Sequence, residues 1–406
     1  TQNFKLADNI TYMNMANEAV LTRNPLGVLP YSQTKIDRTA AGMNPMLYPN
    51  NNWIDMLIKD YTMNQRFNMN MTGGGKVAQY YIVGTFKQDN GVLKSESGNN
   101  FDNNVNLKSY EVRSNVNVKL TPTTEGIVRT SGSFDDYNGP VGGYDQYGNR
   151  INGGSVVFAS ALASNPVSFP AIFPSSALSK VNHPLFGNAT LSGEGPGYVN
   201  PYARMVSGFQ QYNTSTLNVQ LEVKQDFKFV TPGLSARLMA YTQRYSYFDV
   251  SRAYNPFYYS ASPTSADGRN YSVSLLNEED ATEYLNYREG NKVLNTTTYM
   301  EAAVNYSKTI GQKHAITGLL VTLLRNYLNA NAGDLQQSLP FRNQGLSGRF
   351  TYGYDDRYIL EANFGYNGSE RFASNHRYGF FPSIGLAWNV SNEKFMTPIN
   401  KVVSRL

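Results

Sequence analysis

The most regular hydrophobic pattern in the chain lies between Phe341 and Phe395, where apolar and polar positions alternate with period two. Leu346, Phe350 and Tyr352 point one way, and Ser347, Arg349 and Thr351 the other. After a polar break at Asp355-Asp356, Tyr358, Leu360, Ala362, Phe364 and Tyr366 share a face, backed by Glu361, Asn363, Gly365 and Asn367. A third run sets Tyr378, Phe380, Ile384, Leu386, Trp388 and Val390 against Gly379, Ser383, Gly385 and Asn389. Successive side chains of a strand point to opposite faces, so each run predicts a strand with one apolar and one small or polar surface. Aromatics gather at the ends of the apolar face and aliphatics in its middle. That is the profile of a lipid-facing band between two aromatic girdles. A half-buried strand of a soluble sandwich also alternates, so these runs alone leave both folds open.

The order of connections decides between them. The same rhythm starts at Arg66 and continues with Phe67, Met69 and Met71, then Tyr80, Ile82 and Phe86, then Val112, Val116, Val118 and Leu120. Ile127 to Tyr137 follows. Leu217, Val219, Leu221 and Val223 come next, opposed by Asn218, Gln220, Glu222 and Lys224. Ser235 to Val250 is a long aromatic strand whose faces the pattern does not assign, and Thr298–Ser307 pairs with His314–Tyr327. This makes about eleven strands, each able to cross a bilayer, which takes roughly 9–11 tilted residues. Short turns at 72–75, 121–124, 231–233, 311–313 and 354–356 interleave with long connections at 87–108, 138–213, 251–295 and 328–344. Short turns at one end and long loops at the other are the mark of an outer-membrane barrel, and a sandwich has no reason to sort its loops so. The expected fold is all-β, a transmembrane antiparallel β-barrel.

Residues 1–60 lack the ladder. Leu6–Val20 and Trp53–Tyr61 have helix-compatible spacing, the second behind Asn50-Asn51-Asn52 as candidate caps. The expected division is 1–60, an early barrel region with a long extracellular loop and short helices, and 61–406, the first half of the barrel.

Composition adds exclusions. Cysteine is absent and there are three histidines, His183, His314 and His376, so thiolate chemistry has no residues and a histidine metal site few. The net charge of +5 comes without a basic run, which gives no cause to expect nucleic acid as a partner. A mean hydropathy of −0.43 says little, because a barrel averages its apolar face with polar lumen and loops. The nearly apolar segment 315–324 is too short for a spanning helix.

Two regions carry a resemblance. Gln344-Gly345-Leu346-Ser347-Gly348-Arg349-Phe350-Thr351-Tyr352 leads to Asp355-Asp356-Arg357-Tyr358, then to Glu361–Glu370 and to Arg377-Tyr378-Gly379-Phe380-Phe381-Pro382-Ser383 with Trp388. This resembles the SusC/RagA-like TonB-linked outer-membrane receptors of Bacteroidota. Asn52-Trp53 and Gln65-Arg66-Phe67-Asn68, running into Thr72-Gly73-Gly74, are similar to the first part of that family's barrel. The resemblance implies a plugged barrel of about 22 strands, energy from TonB, and a SusD/RagB-like surface lipoprotein as lid. It also implies import of an oligosaccharide or peptide across the outer membrane. The plug and the TonB-contacting region have no counterpart here, so the chain reads as a partial one. Two rivals stay open: a passive outer-membrane porin or structural barrel, and a secreted all-β carbohydrate-binding or carbohydrate-active protein.

No catalytic, cofactor or metal constellation is expected. Asp135-Asp136 and Glu278-Glu279-Asp280 read as solvated loop acids, with Glu278–Tyr287 as a short loop helix. Tyr144–Asn149 lacks calcium-loop spacing and reads as a turn. Gly73-Gly74-Gly75 lacks a P-loop ending and reads as a strand turn. The candidates are aromatics in the long loops, where lipid does not explain them: Tyr144, Tyr147, Phe209, Tyr212, Phe257, Tyr258, Tyr259 and Tyr271. They are expected to face substrate or the lipoprotein, in loops without strands of their own.

Overall fold

The computed structural model describes residues 6–94, 99–144, 146–147, 150–190 and 195–396. The strands in chain order are β1 (Gln65–Gly74), β2 (Ala78–Asn90), β3 (Asn106–Thr121) and β4 (Thr124–Gly139). Short strands β5 (Gly143–Tyr144), β6 (Arg150–Ile151), β7 (Ile172–Phe173) and β8 (Leu185–Gly187) follow. Then come β9 (Gly208–Asp226), β10 (Leu234–Ala253), β11 (Tyr258–Pro263), β12 (Tyr271–Leu275), β13 (Asn286–Ile310), β14 (His314–Asn329), β15 (Phe341–Tyr354), β16 (Tyr358–Ser369) and β17 (Tyr378–Trp388). Eleven of them form one antiparallel sheet in the order β1-β2-β3-β4-β9-β10-β13-β14-β15-β16-β17.

Two adjacent ladders show how the pattern becomes a wall. Tyr80, Val116, Val128, Leu221, Ala240, Met300 and Leu324 stand side by side across seven strands. One residue away run Asn115, Arg129, Gln220, Tyr241, Tyr299 and Arg325. The apolar ladder begins near the short turn of β2 and ends near the long-loop end of β14. That drift is the stagger expected of tilted strands.

The apolar side is the uncovered one. Leu221 is 55% exposed and Leu386 82%, whereas Glu222 on the polar side is only 5% exposed. A soluble protein buries the reverse, so the apolar side is built for lipid. Rings mark both edges of the band. Tyr358 stacks on Trp388 at the short-turn end, and Tyr366 stacks on Tyr378 with centroids 5.1 Å apart at the other. Gly348 leaves room for the Phe364 ring, where a Cβ would come within 2.2 Å. The β15–β16 turn holds Asp355 and Asp356 both at positive φ, with Arg357 N donating to Tyr354 O at 2.9 Å, which gives the tight connection its form.

Register also assigns β10, which the pattern left open. Leu238, Ala240 and Thr242 face lipid, and Tyr241, Tyr245 and Tyr247 face inward. Arg244 faces outward where the polar part of that face begins, so its long side chain can reach the interface.

The remaining segments build a cap over the long-loop end. Its helices are α1 (Asn9–Leu21), α2 (Gln33–Ala40), α3 (Trp53–Leu57), α4 (Gly153–Ala163) and α5 (Pro201–Val206). Asn52 caps α3 by accepting from Asp55 N. A core of Trp53, Leu57, Leu93, Val157, Phe169, Phe186 and Met205 joins the early helices to two long connections. The 254–285 connection is sewn on through Arg38 Nη2 donating to Ala266 O at 3.0 Å and Asn44 Nδ2 donating to Arg269 O at 2.6 Å.

Two expectations need correction here. The long connections do carry strands: β7, β8, β11 and β12 form a four-stranded sheet, and β5 pairs with β6. Glu278–Tyr287 is not a helix. It makes one helical hydrogen bond, Ala281 N to Asn277 O. Asn255 then takes the chain over, its Nδ2 donating to Asp280 O and its backbone O accepting from Thr282 N. Strand β13 follows from Asn286, well before the expected Thr298. Tertiary hydrogen bonds outweigh the local helical tendency.

Candidate functional site

The inward face of the wall carries the charges. Arg129 Nη1 donates to Glu222 Oε2 at 2.7 Å, Gln220 Nε2 donates to the same oxygen at 3.1 Å, and Lys224 lies 3.5 Å from Oε1. Arg237 pairs with Glu301, which also accepts from the Tyr299 hydroxyl at 2.6 Å. Arg349 Nε donates to Glu361 Oε2 at 3.0 Å. Charged groups at this depth persist only where they are paired and face away from lipid, as these do. Alternation put these residues on the polar side, but pairing them needed the register, which no local pattern supplies.

Toward the long-loop end the inner face turns aromatic. Tyr137 stacks on Tyr212 at 4.5 Å, and Tyr212 lies 5.9 Å from Tyr247. Beside them the buried Asp249 accepts from Gln210 Nε2 and from Asn291 N, each at 2.8 Å. Gly290 is required there, since a Cβ would stand 2.2 Å from that carboxylate. Asp249 also occupies the point where register shifts between β10 and β13, so the bond to Asn291 fixes the bulge.

The eight candidate aromatics divide by location. Tyr144 lies on β5, and Tyr147 stands 80% exposed in the adjoining turn. Asp145, Gly148 and Asn149 lie outside the described residues. Phe209 and Tyr212 sit on β9, not off the strands as expected, because β9 starts at Gly208. Their alternation separates them: Tyr212 is inward, while Phe209 faces the other side, 5.0 Å from Phe101 and 5.7 Å from the Arg252 guanidinium. Tyr258, Tyr259 and Tyr271 lie on β11 and β12, and Phe257 stacks on His183 at 3.8 Å. Tyr259 is only 3% exposed within a cluster with Phe173 and Leu185, and Tyr258 packs against the Trp53 core. Burial pushes both of their hydroxyls above the usual tyrosine range. The structure thus brings Tyr212 to the inner mouth and commits Tyr258 and Tyr259 to cap packing.

The acids behave as anchors. Asp135 and Asp136 lie within β4 and so point to opposite faces, with Asp136 accepting from Asn213. Among the described residues no three His, Asp or Glu side chains converge as a metal site would need. Sequence reasoning overlooked the buried asparagines of the cap. Fully buried Asn200 caps α5 by accepting from Tyr202 N and Ala203 N, and its Nδ2 donates to Ala171 O and Gly187 O, both at 2.8 Å. Asn165 accepts from Val167 N and Ser168 N while donating to the Tyr31 hydroxyl at 2.7 Å. A compact loop needs such side chains because its backbone lacks ladder partners. The available signal was asparagine just before Pro166 and Pro201, at points where the chain turns.

A lipid-facing band, a paired and charged inner wall and a folded cap at one end define a transmembrane barrel of the outer-membrane type. No protein-family model matches the chain. TonB-dependent receptor P26 of Formosa agariphila is 24% identical over 385 residues, covering 87% of this chain and 32% of the relative. SusC of Bacteroides thetaiotaomicron is 36% identical over 67 residues, which is 16% of this chain and 7% of SusC. The RagAB peptide importer in its open-open state superposes with a TM-score of 0.58 at 16% identity, over 96% of this chain and 42% of that one. The chain is similar to TonB-dependent receptors of the SusC/RagA kind, and its fold is that of a Gram-negative outer-membrane barrel. It spans about a third of the length of its long-matching curated relatives, 32% and 36%.

Proposed function

We propose that this chain supplies wall and cap to a receptor that imports an oligomeric nutrient, an oligosaccharide or a peptide, with energy from TonB. A surface lipoprotein of the SusD/RagB kind would close over the cap. In this reading residues 1–60 work with the long loops, and residues 61–406 form the first half of the barrel with loops 138–213 and 251–295 outermost. One observation carries it: a hydrogen-bonded cap, built from separate stretches of chain, stands over an inner wall whose mouth is lined by Tyr137, Tyr212 and Tyr247. A passive pore gains nothing from a large ordered cap at its mouth. Aromatic faces at the entrance suit sugar rings and peptide side chains alike. The relative RagAB is described as a peptide importer, which supports an oligomeric cargo.

The test is uptake of labelled oligosaccharide and peptide libraries by cells carrying the whole receptor, with and without TonB. Uptake of one class should collapse without TonB and fall when the lipoprotein gene is removed. Equal uptake with and without TonB would establish a passive pore instead.

A further inference from the structure

The outward face carries a feature that transport does not use. At the long-loop end of β13–β17 a cleft of about 500 Å³ straddles the edge of the apolar band. Its floor is Met300 and Leu324, which are cross-strand partners on the lipid side and are 51% and 50% exposed. Its upper wall holds Arg342, Arg377 and Ser374. Arg342 pairs with Asn326, two residues beyond Leu324, so register places it on the same outward face. The Tyr378 hydroxyl donates to Gln344 Oε1 at 3.1 Å and fixes the side nearest the aromatic ring.

We propose that this cleft seats a phosphorylated lipid of the outer leaflet, its acyl chain along Met300 and Leu324 and its phosphate on Arg342 and Arg377. Three points favour that occupant. The floor is continuous with the lipid-facing band, so an acyl chain reaches it without leaving the membrane. The cations lie just past the girdle formed by Tyr366 and Tyr378, where headgroups stand. Arg342 and Arg377 face a single carboxylate in the cleft, Glu370. Glu370 meets Arg342 at 3.5 Å with both side chains about half exposed, a weak pair that a phosphate can replace. A free anion would satisfy the arginines but leave the apolar floor uncovered. A neutral lipid would do the opposite.

The experiment uses the whole receptor in neutral detergent, titrated with phosphatidylglycerol, with phosphatidylcholine of the same chains and with inorganic phosphate. Bound lipid is read by native mass spectrometry. Phosphatidylglycerol should bind at least about tenfold more tightly than phosphatidylcholine, and its affinity should fall as salt rises. An Arg342→Gln/Arg377→Gln variant should lose about thirtyfold, and Arg342→Lys/Arg377→Lys should recover part of it. Equal binding of the two lipids, or undiminished binding by the glutamine variant, overturns the proposal. Displacement of the lipid by inorganic phosphate at equal concentration would mark a free-anion site and overturn it too. If the glutamine variant fails to assemble, the lipid ratio and salt dependence of the unaltered receptor decide. Uptake is not the readout, so this proposal and the transport reading can fail separately.

Discussion

On β9, Leu221 leaves more than half of its surface uncovered while Glu222, the next residue, is sealed. In the cap the usual order returns, with Trp53 and Met205 sealed and Tyr147 exposed. The two regions use opposite rules because they answer to different solvents. Outside the wall is hydrocarbon, so apolar side chains need no cover and charges must turn inward and find partners. Around the cap is water, so apolar side chains cluster, and irregular backbone is satisfied by Asn165 and Asn200 rather than by strand neighbours. A substitution should therefore reverse its sign when moved from one region to the other, or from one face of the wall to the other.

The largest effect should come from breaking the wall's rule. Arginine at Leu221 or Leu360 puts a charge on the lipid face, at about 2–4 kcal/mol near mid-bilayer. Leu221→Arg and Leu360→Arg should sharply reduce assembled receptor in outer-membrane fractions. Gln220→Arg and Asn363→Arg, one residue from Leu221 and three from Leu360, meet Glu222 and Glu361 on the inner face and should assemble normally. If all four assemble equally well, the lipid side has been assigned wrongly.

This contrast was legible before any coordinates, because alternation is a local property that survives whatever the strands pair with. Leu346 to Trp388 fell on the faces that the period-two pattern gives. Strand β10 resisted because its tyrosines look like girdle residues. Only the register, Tyr241 beside Gln220 and Tyr299, shows that they line the inside. The cap was far less legible. Its sheet joins β8 to β11 across about seventy residues, through two pairs only, Tyr258 with Phe186 and Tyr259 with Gly187. Strands two to six residues long leave little periodicity to read, so Tyr258 and Tyr271 looked like loop residues. The helix expected after Glu278 failed for the same reason, a remote Asn255 that no local window contains.

A middle-sized effect should come from opening the cap core. Trp53 packs on Phe169 at 5.8 Å and donates from Nε1 to Asn165 O at 3.3 Å, so it ties the early helices to the 140–207 connection. Trp53→Ala should cost about 3–5 kcal/mol of cap stability. Limited proteolysis should then cut the loops faster while the amount of barrel in the membrane stays constant. A matching loss of barrel would mean that cap and wall fold as one unit and that the contrast between them is false.

The smallest effect separates residues inside the cap. Tyr258 and Tyr259 are half-buried and buried, with their hydroxyls driven up by desolvation, whereas Tyr147 lies 80% exposed in a turn. Truncating the first two together removes packing from two clusters and should loosen the cap, which hydrogen exchange in β8 and β11 would report. Tyr147→Ala removes a mostly exposed side chain and should shift stability by no more than about 0.5 kcal/mol. A ring that is 80% exposed can be met by something that arrives from outside. Tyr147→Ala should therefore lower nutrient uptake or lipoprotein docking with exchange rates unchanged, and the double truncation should change exchange first. If Tyr147→Ala alters neither uptake nor docking, the exposed loop aromatics lose their proposed role, and the inner tyrosines at the mouth remain the better place to look for the cargo's first contact.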